Sequence, residues 1–422
     1  MASPDLVSVL LQLEDRLASQ KPKGYAELLT KLTQSPATAS QAENLVAYID
    51  SLLSSSLGII AIRPLLTSLI QSLESLPSEL KVRVGAHLVT LLQPQLASFE
   101  DQDARVRVIL ADGYEAEEEW SEAAKTLQGI QLESTQRSVP DVAKVQTWIR
   151  IVRCYLEDDD TVAAETALNK IKNSNAAVQV LQDNPDLQLH YQISQARILD
   201  SRRDFLNASA EYLHVSFNTS VAEEDRLQAL SAAIKTAILA PAGPHRSRTL
   251  AKLYKDERSS ETDEYGILES MFLDRLLAPA EVEAFAAKLA PHQLASTADG
   301  STVLSKAVVE HNLIAASKLY ENISTAALAT LLGLKDGKDE TAAEKAEDYA
   351  ARMVEQGRLK AEIDQIDGII TFERIPGVAL HGPDHERRIW DFDVQGLVED
   401  VERCAAAVAE AFPTLAAPPA VH

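Results

Sequence analysis

Cysteine is scarce in this sequence. Its 422 residues include 2 cysteines, Cys154 and Cys404. Two isolated cysteines give neither a disulfide framework nor a CxxC zinc pattern, so the composition fits a reducing compartment. Both lie on apolar helical patterns, which predicts that both are buried and unreactive. The start, residues 1–17, contains Asp5 and no basic region, so we do not interpret it as a signal peptide.

Glycine and proline are also few, with 15 and 17 residues. An average protein contains about 12% of the two together, and this chain lies well below that share. So few turn-forming residues in so long a chain predict long helices. We expect helices to end at Pro22, Pro36, Pro64, Pro77 and Pro94, which separate apolar stripes of helical period.

Basic residues are outnumbered, because 40 Lys and Arg stand against 63 Asp and Glu, a net charge of −23. Such a chain repels phosphate backbones unless its basic residues cluster. Long hydrophobic runs are lacking too. The most apolar stretch, residues 52–73, holds several serines and is interrupted at Arg63-Pro64, so neither side is long enough to span a bilayer. The sequence therefore predicts neither nucleic-acid nor membrane binding.

A degenerate repeat of helical pairs is present instead. Aligning Ala124, Ala164 and Ala208 places three similar segments at intervals of 40 and 44 residues, each preceded by another amphipathic helix. This pattern is typical of tetratricopeptide-like units, in which small residues let the second helix pack closely. One pair cannot bury its own apolar face, so we favour a stacked solenoid over the alternative, a non-repetitive helical bundle.

The last third of the sequence predicts a winged helix. Helices are expected over residues 301–320, 324–333 and 341–356, and two strands then flank the hairpin signal Asp367-Gly368. Three helices followed by a two-stranded hairpin are typical of that fold. Residues 340–356, the third helix, carry two basic and five acidic side chains, a net charge of −3. A protein-docking role is therefore favoured over DNA or RNA binding.

Apolar residues recur at heptad spacing on a final helix. This seam consists of Trp390, Val394, Leu397, Val401, Cys404 and Val408. A seam so narrow either folds back onto its own chain or packs among partner helices, and we favour an intermolecular bundle.

No catalytic or metal-binding motif stands out. The close pair His381 and His385 is separated by Gly382 and Pro383 in a loop, which does not hold two imidazoles on one metal ion. The HExxH, Walker A, GxSxG and GxGxxG patterns are missing. The sequence therefore predicts a chain that is not an enzyme and takes no metal and no cofactor.

Several motifs between residues 248 and 372 carry a family resemblance. They are Leu253-Tyr-Lys-Asp-Glu-Arg258, Tyr265-Gly-Ile-Leu-Glu269, Thr297-Ala-Asp-Gly-Ser301, Val309-Glu-His-Asn-Leu313, Ala316-Ser-Lys-Leu-Tyr320 and Ile363-Asp-Gln-Ile-Asp-Gly-Ile369. This set resembles the subunit 4 family of the COP-9 signalosome. That family carries a PCI domain, which consists of helical repeats capped by a winged helix.

Together with the patterns above, the resemblance predicts an all-α architecture in three parts. A tetratricopeptide-like helical-repeat solenoid is expected over residues 1–245. A PCI domain follows over 246–373, with the last repeats at 246–300 and a winged helix with a small β-hairpin wing at 301–373. A C-terminal bundle helix is expected over 388–412.

The resemblance also implies a function. The family belongs to a multi-subunit isopeptidase that removes the ubiquitin-like modifier Nedd from the cullins of cullin-RING ubiquitin ligases. The zinc subunit of that complex has an H-x-H signature, which this sequence lacks, so a non-catalytic scaffold subunit of cytoplasm and nucleus is expected. The N-terminal repeats would reach and help to sense the neddylated cullin-RING ligase.

In such complexes winged helices join edge to edge and the C-terminal helices form a shared bundle, which implies a set of interface residues. The predicted interface comprises Ile363, Gln365, Asp367, Ile369, Ile370, Trp390, Val394, Leu397, Val401 and Val408. The alternative for the wing isoleucines is that they cover their own helices. The alternative functions are a PCI-type scaffold subunit of the proteasome lid and a winged-helix regulator that binds nucleic acid.

Overall fold

Helices dominate the structure, which is a computed structural model. It describes residues 4–14, 20–33, 39–55, 57–133, 138–296, 301–336 and 341–372, together with Val398, Val401 and Cys404. The chain divides into two compact units, residues 1–311 and 312–422.

The described part of the first unit is built mainly of helices. Its first helices are α1 (Pro4–Glu14), α2 (Lys21–Thr33), α3 (Ala39–Ser54), α4 (Ile59–Glu74), α5 (Ser78–Leu92), α6 (Leu96–Ala116), α7 (Trp120–Gln128) and α8 (Asp141–Glu157). They are followed by α9 (Thr161–Lys172), α10 (Asn175–Asp183), α11 (Pro185–Ser201), α12 (Phe205–Ser216), α13 (Glu223–Leu239), α14 (Pro244–Tyr254), α15 (Tyr265–Phe272) and α16 (Pro279–Ala286). Short 3-10 turns lie at Gln93–Gln95, Glu257–Glu261 and Pro291–Leu294.

Helix α17 (Val303–Leu319) begins in the first unit and ends in the second. The second unit continues with β1 (Asn322–Ser324), α18 (Thr325–Leu331), α19 (Ala342–Glu355), β2 (Ala361–Asp364) and β3 (Ile369–Phe372). This order of helices and strands is the winged helix that the sequence predicts. The strand β1 is an addition, since the sequence pattern indicates only the two strands of the hairpin.

The predicted helical repeat is confirmed, and its turns share one backbone signature. Two residues after the first helix of each pair, Glu118, Asp159 and Arg203 adopt left-handed φ values of 60°, 58° and 64°. The next N–H then donates to the carbonyl five residues earlier. These bonds run from Glu119 to Tyr114, from Asp160 to Tyr155 and from Asp204 to Leu199, each at 2.9 Å. This hydrogen bond is the Schellman bond that ends a helix and reverses the chain.

The alanines of the repeat lie where the alignment of the sequence places them. Ala124, Ala164 and Ala208 are the fifth, fourth and fourth residues of α7, α9 and α12 and are completely buried. A methyl group lets two helix backbones approach closely, whereas a larger side chain would hold them apart.

Successive hairpins share helices, so the apolar cores join into one solenoid. Phe99, Val106 and Ile109 of α6 belong to the core of helices α1–α5. Ala104 and Ala111 of the same helix belong to the core that α7, α8 and α9 complete. Because neither core closes without α6, the hairpins depend on their neighbours, as in a repeat protein.

Helix α10 is an insertion that the sequence analysis did not identify. It lies between the second and third alanines, within the wider interval of 44 residues. Its Ala177 and Leu181 are buried against Val145 and Ile149 of α8. Two buried apolar positions in nine residues are too few for periodicity alone to separate a short helix from a loop.

The prolines end fewer helices than expected. Pro77 directly precedes α5 and Pro94 lies in a 3-10 turn, in agreement with the expectation. Pro22, however, lies in the first turn of α2, where its missing N–H would have no helical partner. Pro36 lies outside the described residues.

Pro64 does not break the chain into two helices, and that prediction was wrong. It lies inside α4, which continues from Ile59 to Glu74. An internal proline costs a helix about 3 kcal/mol. The buried stripe of α4 comprises Ile62, Leu65, Leu66, Leu69, Ile70 and Leu73. Burial of one such side chain contributes about 1.5–3 kcal/mol, so the stripe outweighs the proline.

The two cysteines differ. Cys154 is buried, and its S–H donates to Glu115 Oε1 at 3.3 Å. Burial, together with the Glu115 carboxylate, raises the pKa of the thiol to about 12, so it stays protonated and unreactive. Cys404 is exposed, which corrects the prediction of burial. A heptad seam buries its residues against a second helix, and none of the described residues covers Cys404.

Replacing Glu118 by glycine is expected to stabilise the first unit. A left-handed φ costs an L-residue about 1–2 kcal/mol, and glycine avoids this cost at a smaller entropic one. We expect the opening free energy of α7, measured by native-state hydrogen exchange, to rise by about 0.5–1 kcal/mol.

The neighbouring substitution Glu117→Gly is the control, because Glu117 has a φ of −97°. It should lower the same free energy by about 0.5–1 kcal/mol. If both substitutions lower the opening free energy equally, the left-handed φ of Glu118 does not cost the free energy assigned to it.

Candidate partner interface

The wing is a three-stranded antiparallel sheet in the order β1-β3-β2. Its register places Ile323 of β1, Ile370 of β3 and Ile363 of β2 side by side. β-branched side chains in one row pack well across neighbouring strands. The central strand is therefore β3, and β2 is an edge strand that pairs with β3 alone among the described residues.

The two faces of the sheet alternate strictly along β3. Ile370 and Phe372 are buried, whereas Ile369 and Thr371 point away from the core. Opposite Ile369 lie Ser324 on β1 and Asp364 on β2, so its row on the outer face is polar apart from one isoleucine. Register thus fixes which isoleucines can reach a partner, because a strand alternates with a period of two.

A tight four-residue turn joins β2 to β3. Asp364 Oδ1 accepts hydrogen bonds from the N–H groups of Ile366 at 2.9 Å and Asp367 at 3.2 Å. Gly368 closes the turn with a φ of 63°, and its carbonyl accepts from the Thr325 N–H at 2.8 Å. The Asp367-Gly368 signal in the sequence thus marks the true turn.

The turn presents a large apolar side chain to solvent. Ile366 is 97% exposed, although the backbone on both sides of it is hydrogen-bonded. A single exposed apolar side chain is common on protein surfaces, whereas a group of them is typical of a contact surface. Ile366 is a candidate contact residue because a second exposed isoleucine, Ile369, follows at the start of β3. Ile366 was not among the predicted interface residues. A signal was available, because an isoleucine at the centre of a predicted turn belongs to neither strand face.

The predicted wing residues occupy different environments. Gln365 and Asp367 are exposed on the turn, Ile363 is half-buried, and Ile369 is 38% exposed. Ile370 is fully buried beneath the sheet, which corresponds to the alternative that wing isoleucines cover their own helices. The structure therefore brings four of the five residues to the surface near the turn and the β2 edge.

The third helix, α19, supports the turn with its acidic face. Gln365 Nε2 donates to Glu347 Oε1 at 2.6 Å. At the helix start the Thr341 N–H donates to Glu344 at 2.7 Å, and the Glu344 N–H donates to Thr341 Oγ1 at 3.3 Å. These hydrogen bonds hold the pKa of Glu344 below its ordinary value. The Glu344 carboxylate thus stays charged and is unfavourable to phosphate.

The seam of the final helix lies almost entirely beyond the described part of the chain. Trp390, Val394, Leu397 and Val408 fall outside the described residues. Val401 is helical and 59% exposed. The interface assignment of all five residues stays a prediction.

A cavity of about 750 Å³ lies in the first unit, between α11, α13 and the last 3-10 turn. Asp200 in its wall is buried and accepts from Gln293 Nε2 at 2.9 Å, with His292 Nε2 at 3.1 Å. Lys235 Nζ lies 3.4 Å from Glu264. The hydrogen bonds to Asp200 hold the 3-10 turn on α11, and the Lys235–Glu264 pair joins α13 to the start of α15, so both have a structural role. Within the described ranges, no three His, Cys, Asp or Glu side chains converge to form a metal site.

Replacing Gly368 by alanine should open the wing. The added Cβ would lie 3.3 Å from Thr325 Oγ1, and the left-handed φ disfavours any side chain. We expect the opening free energy of β3, read from hydrogen exchange at Ile370, to fall by about 1–2 kcal/mol. Gly266→Ala is the control, because Gly266 lies in the first turn of α15 and an added Cβ there would meet no neighbour within 4 Å. It should raise the stability of its own helix by up to about 1 kcal/mol. An unchanged exchange rate at Ile370 would contradict the role given to this turn.

Two family models match the chain. The model described as "PSMD12/CSN4, N-terminal" matches residues 5–224, and the PCI domain model matches residues 275–374. The second match contains the whole sheet β1-β3-β2 and the helices α18 and α19. Among the described residues, no helix combines the length and the apolar character needed to cross a membrane.

Curated relatives match over most of the chain. A protein of Emericella nidulans named COP9 signalosome complex subunit 4 is 56% identical over 97% of this chain and 99% of its own. Proteins of the same name are 47% identical in Neurospora crassa, over 98% of both chains, and 42% identical in Arabidopsis thaliana, over 83% of this chain and 86% of the relative. The helical-repeat solenoid, the winged helix and these near-full-length matches agree, and the chain belongs to the COP9 signalosome complex subunit 4 family.

Proposed function

We propose that this chain is a non-catalytic scaffold subunit of a COP9 signalosome. In that role it supports the removal of Nedd from the cullins of cullin-RING ubiquitin ligases through protein–protein contacts. Family membership supports the assignment to the complex. The exposed wing turn is the observation that supports a contact role, because a scaffold subunit needs a surface whose apolar groups are covered only by a partner.

The wing contact uses the turn and the edge of β2. An edge strand presents unpaired N–H and C=O groups, to which a strand of a neighbouring winged helix can add. Ile366 and Ile369 then supply apolar area beside that strand, while Gln365 and Asp367 supply polar contacts at the rim. Ile363 lies on the edge strand itself, and Ile370 holds the central strand in place from below.

Two further contacts belong to the proposal. The seam residues Trp390, Val394, Leu397, Val401 and Val408 enter a helical bundle with other signalosome subunits. The exposure of Val401 supports this, because a valine on a seam needs a covering helix. The N-terminal repeats reach the neddylated cullin-RING ligase, and the chain acts in the cytoplasm and the nucleus.

Charge supports protein partners rather than nucleic acid. The helix that enters the major groove in a DNA-binding winged helix corresponds to α19, whose net charge is negative. Its Asp348 pairs with Arg352 at 2.6 Å, so one of its two basic side chains is already engaged. A DNA phosphate backbone would therefore meet mostly carboxylates.

Replacing Ile366 by aspartate should weaken the hold on neighbouring subunits without unfolding the chain. Burial of an isoleucine at an interface contributes about 1.5–3 kcal/mol, so we expect about tenfold or greater loss of affinity. The measurement is the amount of co-purified subunits per tagged chain at moderate salt.

Ile60→Asp is the matched control, because Ile60 is also 90% exposed but lies on α4 in the first unit. It should keep the neighbouring subunits at the unsubstituted ratio. Equal retention by both variants would show that the wing turn is not a subunit contact.

A tagged full-length chain, purified from its own cells, tests the wider proposal. We expect mass spectrometry to find a stable set of subunits that includes a metalloisopeptidase, and the eluate to remove Nedd from a cullin. Deletion of residues 388–422 should loosen the set, because it removes the seam. Recovery of proteasome subunits instead would be consistent with the fold but would contradict the assignment to a signalosome. A chain that elutes alone and binds DNA would contradict the scaffold role.

A further inference from the structure

One stretch of the first unit departs sharply from the acidic character of the chain. Residues 226–255 contain six Lys and Arg and not a single Asp or Glu, although the whole chain has 63 acidic residues. The acid-free stretch ends at Asp256. Helix α14 lies towards its C-terminal end and carries three of the six, Arg246, Arg248 and Lys252, while Lys255 follows as its C-cap.

Four exposed basic residues, three in α14 and one at its C-cap, form one stripe on its solvent face. His245, Arg248, Lys252 and Lys255 are all exposed, and their spacings of 3, 4 and 3 place them on one side of a helix. The buried residues of the same helix occupy the opposite side. These are Arg246, Leu250 and Leu253. The stripe is about 15 Å long, since ten residues separate its ends.

These four side chains have no partner among the described residues. Some exposed basic residues elsewhere pair with an acid one helical turn away, as Lys125 does with Glu122 at 2.7 Å and Arg105 with Asp101 at 3.3 Å. Helix α14 has no acid within its own bounds. Asp256, four residues after Lys252, pairs with Arg258 at 2.6 Å instead. The stripe is therefore a surface whose charge is left uncompensated.

We propose that this stripe, His245, Arg248, Lys252 and Lys255, is a docking surface for an acidic segment of a partner protein. Carboxylates spaced three and four residues apart on a helix of about three turns would face the four side chains at matching intervals. One exposed ion pair contributes little, but several in a line set the register and orientation of two chains. This surface is additional to the wing and the seam.

An acidic protein segment fits the surface better than nucleic acid. Duplex DNA carries a charge every 1.7 Å or so along its axis and would extend well beyond a stripe of about 15 Å. It would then meet the acids that follow the helix. These include the exposed residues Glu257, Glu261 and Asp263. A short acidic segment fits within the stripe and avoids them.

Carbodiimide coupling tests this directly, because it forms an amide between a lysine and a carboxylate only where the two already touch. The reagent is applied to the tagged full-length chain purified with its partners. Mass spectrometry should find amides from Lys252 and Lys255 to Asp or Glu residues of another chain. In the Arg248→Gln, Lys252→Gln double variant, purified in the same way, the yield of amides from Lys255 should be about fivefold lower than in the unsubstituted chain.

The matched control is Lys170→Gln with Lys172→Gln, which removes two exposed lysines from the last turn of α9. It should leave the coupling of Lys255 unchanged. If Lys252 and Lys255 yield no amide to another chain, the stripe is only a solvated face and the proposal fails. It also fails if the full chain binds a short DNA duplex and the α14 variant loses that binding. The identity of the co-purified set tests the proposed function separately.

Discussion

The architecture of the first unit depends on one recurring backbone hydrogen bond. In each turn, the N–H group of the residue that follows the left-handed residue donates to the carbonyl five positions earlier. It reverses the chain so that two helices lie antiparallel, and it recurs after α15, where the Arg275 N–H donates to Ser270 at 2.8 Å and Asp274 has a φ of 53°. None of the four left-handed residues is glycine, so each turn costs about 1–2 kcal/mol. That cost persists only because the hairpins bury apolar faces against one another.

The first helices of successive hairpins are also linked by charge. Arg150 on α8 donates to Glu115 on α6, and Arg197 on α11 donates to Glu157 on α8, both at 2.7 Å. Such partly exposed pairs contribute at most about 1 kcal/mol each. Their main effect is on geometry. Each pair joins the C-terminal end of one hairpin's first helix to the first helix of the next hairpin, and so fixes the register in which the hairpins stack.

The sequence predicted the features that repeat and missed those that occur once. The intervals between Ala124, Ala164 and Ala208 reveal the hairpins because several positions repeat together. The strand Asn322–Ser324 could not be found, since three residues carry no period and its pairing depends on β3, about 45 residues away. The helix break predicted at Pro64 was wrong, because the low helix propensity of proline is outweighed by burial of the apolar stripe of α4. The interface residues on the final helix stay predictions, since most of them lie outside the described chain.

Both proposed surfaces expose groups that contribute little to the isolated fold. Ile366 lies on an ordered turn that could have carried a polar residue at no cost to its hydrogen bonds. Helix α14 has exposed basic side chains in one line and no acid within its own bounds. A partner that covers each surface gives these side chains a role. The wing turn requires an apolar surface and α14 requires carboxylates, and the two can therefore select different partners.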